Sequence, residues 1–173
     1  MKTVVLGDPP PAVTSLIQER HRLGLDRHDE VWQGEYHMAP APSSEHARVE
    51  TRLAVLLDAI ADRLGFYVTA SFNLGSSADF RVPDLGVHRH EPHGTWVATA
   101  AIVVEVRSPD DETCDKFPFF ADHGVDEILV ADLVTRTVRW FVRDVQDDHG
   151  YRTADVSALL GIDAAAVSAA VRW

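Results

Sequence analysis

The sequence predicts an α/β fold in which a mixed β-sheet is flanked by helices, and three observations carry that prediction. Residues 44–64 repeat apolar side chains at three- and four-residue steps, the period of an amphipathic helix. Residues 100–106 are almost wholly apolar and largely β-branched, as in a strand buried on both faces in the middle of a sheet. Around these two segments helical and extended patterns are interleaved, which is the order expected when helices cover a sheet of mixed direction.

Taken in order, residues 31–38 read as a strand bordered by charges, ended by the proline-containing stretch 39–44, because proline withholds the backbone donor a ladder needs. Ser43 or Ser44 can cap the helix that follows, whose apolar face is Val49, Leu53, Leu56, Leu57, Ile60 and Leu64, up to Gly65. Residues 66–70 and 78–82 read as strands separated by the turn-forming run 73–77, and the second continues to Val87 with a break at Pro83. A polar loop, 88–95, leads to the buried strand. Residues 109–124 read as helical, with Pro118 tolerable only in a first turn and His123-Gly124 as the stop. Residues 128–131 form another buried strand, 135–137 a turn, and 138–142 an edge strand; the alanine-rich 157–171 makes one or two short helices. One domain over 1–173 is expected, its core in 29–142 and capping helices in 150–173.

Composition agrees with one core: 173 residues at 46% hydrophobic content are short of what two would need. Sixteen Lys plus Arg against 27 Asp plus Glu leave a net charge of −11, the wrong sign for a protein that coats nucleic acid. A local positive groove, or bound divalent cations, would still be compatible with a nuclease. Cys114 is the sole cysteine, which excludes an internal disulfide and a cysteine-based zinc cage and fits a reducing compartment. Residues 1–11 are too short and too broken to be a secretory signal, and no apolar run approaches the roughly 20 residues of a membrane span, so a cytoplasmic protein is expected.

The chemistry centres on Glu105. Strand alternation points Glu105 and Arg107 the same way from a strand that is otherwise apolar. Burying an unpaired carboxylate costs on the order of several kcal/mol, so Glu105 is either ion-paired, to Arg107 or Lys116, or bound to a metal, or at the open end of its strand. Asp84 follows Pro83, where a strand broken by proline exposes its end. Two carboxylates about 4 Å apart repel by about 4 kcal/mol at an effective dielectric near 20, and a bound Mg²⁺ relieves that repulsion.

The ordered series Arg81-Val82-Pro83-Asp84, Val103-Val104-Glu105-Val106-Arg107-Ser108-Pro109, Lys116, Phe120-Ala121 and Gly124-Val125-Asp126-Glu127 resembles the Uma-type putative restriction endonuclease family, a branch of the PD-(D/E)XK nuclease superfamily. Upstream, Gly34-Glu35, the loop at Pro40 and Pro42, and His46 are similar to that family's first strand and first helix, so the likeness spans about residues 29–140. The resemblance implies a restriction-endonuclease-like fold and hydrolysis of phosphodiester bonds in DNA, or else RNA, with Mg²⁺ or Mn²⁺. It implies Asp84 and Glu105 as metal ligands, the Val106 carbonyl as a third oxygen, and Lys116 as the basic member. In the wider superfamily the lysine stands two residues after the glutamate, where this chain has Arg107; an arginine cannot act as a base, but it can hold a phosphate.

Glu50 and Glu35 are further carboxylates for such a site, and His46 matches a recurrent position; each also has a plain reading as a solvated or locally bonded side chain. His88, His90 and His93 read as a solvated loop, Asp110-Asp111-Glu112 as the acidic first turn of a helix, and Cys114 as inert. A non-catalytic binding or assembly module of the same fold is the alternative, favoured by the acidic charge and by Arg107, and a hydrolase of small phosphoesters is a third reading. The apolar strand bearing Val138, Trp140 and Val142 would gain from covering, hence an expected homodimer.

Overall fold

The computed structural model describes residues 3–5, 9–109 and 111–173. Asp110 of the expected acidic turn, and residues 1, 2 and 6–8 of the N-terminal segment, lie outside the described residues. The chain begins with β1 (Thr3–Val5), α1 (Pro11–Leu23), β2 (Glu30–Trp32), β3 (Glu35–Met38) and α2 (Ser44–Ala61). Next come β4 (Tyr67–Thr69), β5 (Asn73–Ser76), β6 (Asp79–Arg81), β7 (Leu85–His88), β8 (Trp96–Val97) and β9 (Ile102–Arg107). It ends with α3 (Phe117–Asp122), β10 (Glu127–Asp132), β11 (Thr137–Arg143), β12 (Tyr151–Ala154) and α4 (Ala164–Val171).

The principal sheet has the order β12-β11-β10-β9-β7-β4, with β9 and β10 parallel and the other pairs antiparallel. It is the mixed, helix-flanked sheet that the sequence predicts. Alternate residues of β9 serve opposite faces. Ile102, Val104 and Val106 pack with Val49, Leu53 and Leu57 of α2 and Val167 of α4, whereas Val103 packs with Phe117 and Phe120 of α3. Glu105, two residues on from Val103, therefore faces the α3 side.

A second sheet, β1-β3-β2-β6-β5-β8, was not legible in the sequence, nor was α1. The segment 31–38, expected as one strand, is a hairpin: Gln33 and Gly34 take φ of 51° and 89°, the pair of positive angles that a two-residue hairpin loop needs. Asn73–Ser76, expected as a turn, is β5, and the turn is Ser77-Ala78. The chain passes from one sheet to the other at Val82-Pro83-Asp84, where Pro83 has no N–H to extend either ladder.

Other expectations are corrected in detail. Ser43 does cap α2, but the apolar face ends at Ala61; Leu64 lies in a 3-10 turn, Asp62–Leu64, and is 51% exposed. The stretch 109–124 is a 3-10 turn, Thr113–Lys116, followed by α3, with Pro118 in the first helical turn and Asp111 and Glu112 before the helical segment. The strand at 138–142 is not an edge, because β12 pairs with it, so a homodimer would need another surface. Residues 150–173 contain that strand and one helix, α4. His88 belongs to β7, not to a solvated loop: it is buried, with Nε2 3.0 Å from Thr69 Oγ1 and the Phe72 ring edge-on to it. No helix among the described residues is long and apolar enough to cross a membrane.

Candidate functional site

The break at Pro83 places Asp84 beside β9, where its Oδ2 accepts the Val106 N–H at 2.6 Å. Its Oδ1 lies 3.0 Å from Nε2 of His46, whose Nδ1 is 3.3 Å from Ser108 Oγ. His46 stands in the first turn of α2, fixed there because its N–H donates to the capping Ser43 Oγ at 3.1 Å. Glu50 follows one helical turn later, on the same face. His46, Glu50 and Asp84 each offer a ligand atom, all within 4.8 Å of one another. Burial, then the Asp84 charge, raise the Glu50 carboxyl above its ordinary value. Burial disfavours the His46 imidazolium, but the hydrogen bond and charge of Asp84, with the charges of Glu50 and Asp111, outweigh it and raise the ring's proton affinity.

Beside this cluster, Lys116 Nζ lies 3.2 Å from Glu105 Oε1 and 2.8 Å from Glu30 Oε1, and all three side chains are buried. Lys116 reaches them from the 3-10 turn just before α3, Glu105 from β9 and Glu30 from β2 in the second sheet. Burial pushes the Glu105 carboxyl above its ordinary value, with Lys116 opposing and Asp84 and Glu30 adding to the rise. At Lys116 burial favours the neutral amine, but Glu105 and Glu30 together outweigh it and hold the ammonium above the usual lysine range. One ammonium thus faces two buried carboxylates.

Both groups line one cavity of about 450 Å³, walled on its apolar side by Ala39 to Pro42 and by Leu133 and Val134. Thus Asp84, Glu105, Lys116, His46 and Glu50 line one cavity. Arg107 does not join them: its guanidinium donates to Asp132 Oδ2 at 3.0 Å, its side chain is 45% exposed, and it does not line the cavity. Glu35 is exposed and borders a different cavity, with Trp32 and Asp79. Val106 contributes its N–H to Asp84, and its side chain is in the core. Cys114 is exposed and unbridged.

Sequence reasoning missed Glu30, Ser108 and His28 and read Asp111 only as part of an acidic helix turn; all four line the cavity. Glu30 looked like the polar border of a strand, and only its burial against Lys116 separates it from Asp29 as a site residue. Ser108 stood inside the quoted motif, without a partner that the sequence could identify.

The family described as "Uma2: Putative restriction endonuclease" matches residues 18–168. No curated protein matches the chain. Among solved structures the chain is similar to the crystal structure of a putative nuclease belonging to DUF820 from Anabaena variabilis, with a TM-score of 0.65 and 13% identity over 83% of this chain and 90% of that one. At that identity the likeness is one of fold. With the family match running from within α1 into α4, the chain belongs to the Uma2 putative restriction endonuclease family.

Proposed function

We propose that this chain is a divalent-cation-dependent nuclease that hydrolyses phosphodiester bonds, in DNA before RNA, with Mg²⁺ or Mn²⁺. The observation that carries the reading is the convergence of Asp84, from the segment just before β7, and Glu105, from the neighbouring β9, on a cavity that also holds the buried Lys116. The donor set fits such an ion. Carboxylate oxygens suit Mg²⁺ and Mn²⁺, the His46 imidazole is a ligand that Mn²⁺ accepts, and Glu30, Glu45, Glu50, Asp84, Glu105 and Asp111 outnumber Lys116 and two histidines around the cavity. Asp84, Glu105, Glu50 and His46 are the residues that would hold the ion.

A bound cation would supply positive charge to the phosphoryl oxygens and acidify a coordinated water. The chain's own groups do the rest. The Val106 N–H fixes the aim of Asp84, and the Ser43 cap fixes that of His46. Lys116, held as an ammonium by two carboxylates, places a positive charge where the phosphate's charge develops and can orient the attacking water. Arg107, salt-bridged outside the cavity, is assigned no step.

Nicking of supercoiled plasmid DNA by the purified chain with Mn²⁺ or Mg²⁺, and its loss in Asp84→Ala, is the expected result. Intact plasmid and intact single strands with both ions would overturn the reading. The net charge of −11 favours a second reading, a nuclease-fold module that binds or assembles without catalysis. For that reading calorimetry would find no Mn²⁺ uptake that Glu105→Ala removes. The single, unbridged Cys114 fits a reducing, cytoplasmic compartment, and sizing chromatography decides whether a homodimer forms.

A further inference from the structure

We infer that Glu30 is a positioning residue that holds the Lys116 ammonium independently of Glu105, leaving Glu105 available to a divalent cation. The inference rests on the nuclease reading above and assigns a role to a residue outside the set that Asp84 and Glu105 define. Lys116 is buried between two carboxylates, and the contacts are unequal: 2.8 Å to Glu30 and 3.2 Å to Glu105.

The two carboxylates also differ in how they are tied down. Glu30 Oε1 accepts the Val82 N–H at 2.9 Å as well as Lys116, and its Oε2 accepts the Trp32 indole N–H at 2.7 Å. Its side chain is 3% exposed, and it bridges the hairpin of the second sheet to the crossing segment that presents Asp84. Glu105 has Lys116 as its one hydrogen-bonding partner among the described residues. A carboxylate fixed by three donors is a poor candidate to turn toward a cation, whereas one held by a single shared amine is free to do so.

An ammonium buried without a counter-charge is strongly destabilising. If Glu105 were the sole partner of Lys116, a cation would have to take Glu105 from an amine that had nowhere else to bond. Glu30 removes that competition. The chain thus divides the labour: the second sheet supplies the carboxylate that keeps the lysine, and the principal sheet supplies the carboxylate that the ion takes.

The test is Mn²⁺ binding by calorimetry on the full chain, with circular dichroism to confirm folding, in four proteins: wild type, Glu30→Gln, Lys116→Met and the double variant. Glu30→Gln should weaken Mn²⁺ binding by about tenfold or more, the range expected when a partner of a metal ligand is lost. Adding Lys116→Met should restore the affinity, because the competing amine is then gone. A merely structural role for Glu30 predicts no such rescue. Equal Mn²⁺ affinity in wild type and Glu30→Gln, or a double variant no tighter than the single, overturns the inference. If Glu30→Gln does not fold, Glu30→Asp, which keeps the charge but withdraws it by one methylene, carries the same comparison with and without Lys116→Met. A wild-type chain that takes up no Mn²⁺ removes the nuclease reading and the inference with it, a result distinct from equal affinities.

Discussion

Two cavities of about the same volume, 450 Å³, lie on this molecule, and each has a buried cationic side chain in its wall. In the first the cation is Lys116, between two carboxylates that are themselves buried. In the second it is Arg81, whose guanidinium lies 4.4 Å from the Trp32 ring and 4.1 Å from the Phe119 ring and donates to the Val31 and Phe80 carbonyls and to Asp79. Asp79 is 39% exposed, and Glu35, Asp115 and Asp122 around the same cavity are exposed too. Negative charge that water already solvates asks for no ligand; negative charge locked out of water does. Cavity size does not separate the two regions, and the burial of their acids does.

The largest effect that would break this comparison is at the carboxylates. Glu105→Gln should lower the Mn²⁺-dependent nicking rate by about 100-fold or more, since it removes a proposed ligand, while Glu35→Gln should change it less than about twofold. Equal losses in the two variants would erase the distinction. Next in size is Arg81→Met, which should cost about 2–3 kcal/mol in urea unfolding by stripping Asp79 and two carbonyls of their donor, yet leave the Mn²⁺ affinity of the folded chain unchanged.

Packing away from both cavities gives the next prediction. A Cβ at Gly86 would collide with Phe72 Cε1 and come within 2.6 Å of His88 Nε2, so Gly86→Ala should destabilise by about 1–3 kcal/mol through overpacking, read in the same unfolding experiment. Ser43→Ala removes the hydrogen bond that caps α2 and should cost about 1 kcal/mol; the nicking rate should fall with it, because His46 shares that turn.

The smallest effect concerns His88, a buried ionisable group outside both cavities. Burial lowers its proton affinity below the ordinary value of 6.5, so the fold favours the neutral ring. Its contribution to stability is complete above the unfolded value and is lost as pH falls through 6.5 toward the depressed folded value. The unfolding free energy should therefore drop as the pH falls below 6.5, and His88→Gln should flatten that part of the profile.

What could be read from the chain alone follows its local periods. The helix over residues 44–61 announces itself by its apolar spacing and serine cap, β9 by its run of β-branched residues, and the candidate acids by standing where an apolar strand should carry none. The hairpin at Gln33-Gly34 was hidden because only the second of its two positive-φ residues is a glycine. The resemblance of Asp84, Glu105 and Lys116 to a family pattern selected three residues that do line one cavity.

Sequence determined which residues can face a core, which must end a helix or break a strand, and which carboxylates are conspicuous, because these depend on neighbours one helical turn or two strand positions away. Tertiary structure alone decided the partners. Lys116 meets Glu30, 86 residues distant, Arg107 turns to Asp132, and β12 covers β11, because such pairs form only where two separately folded segments are pressed together. A period of two says which way a side chain points, and the charge that stands opposite it is set by which strands pair and by how the two sheets pack.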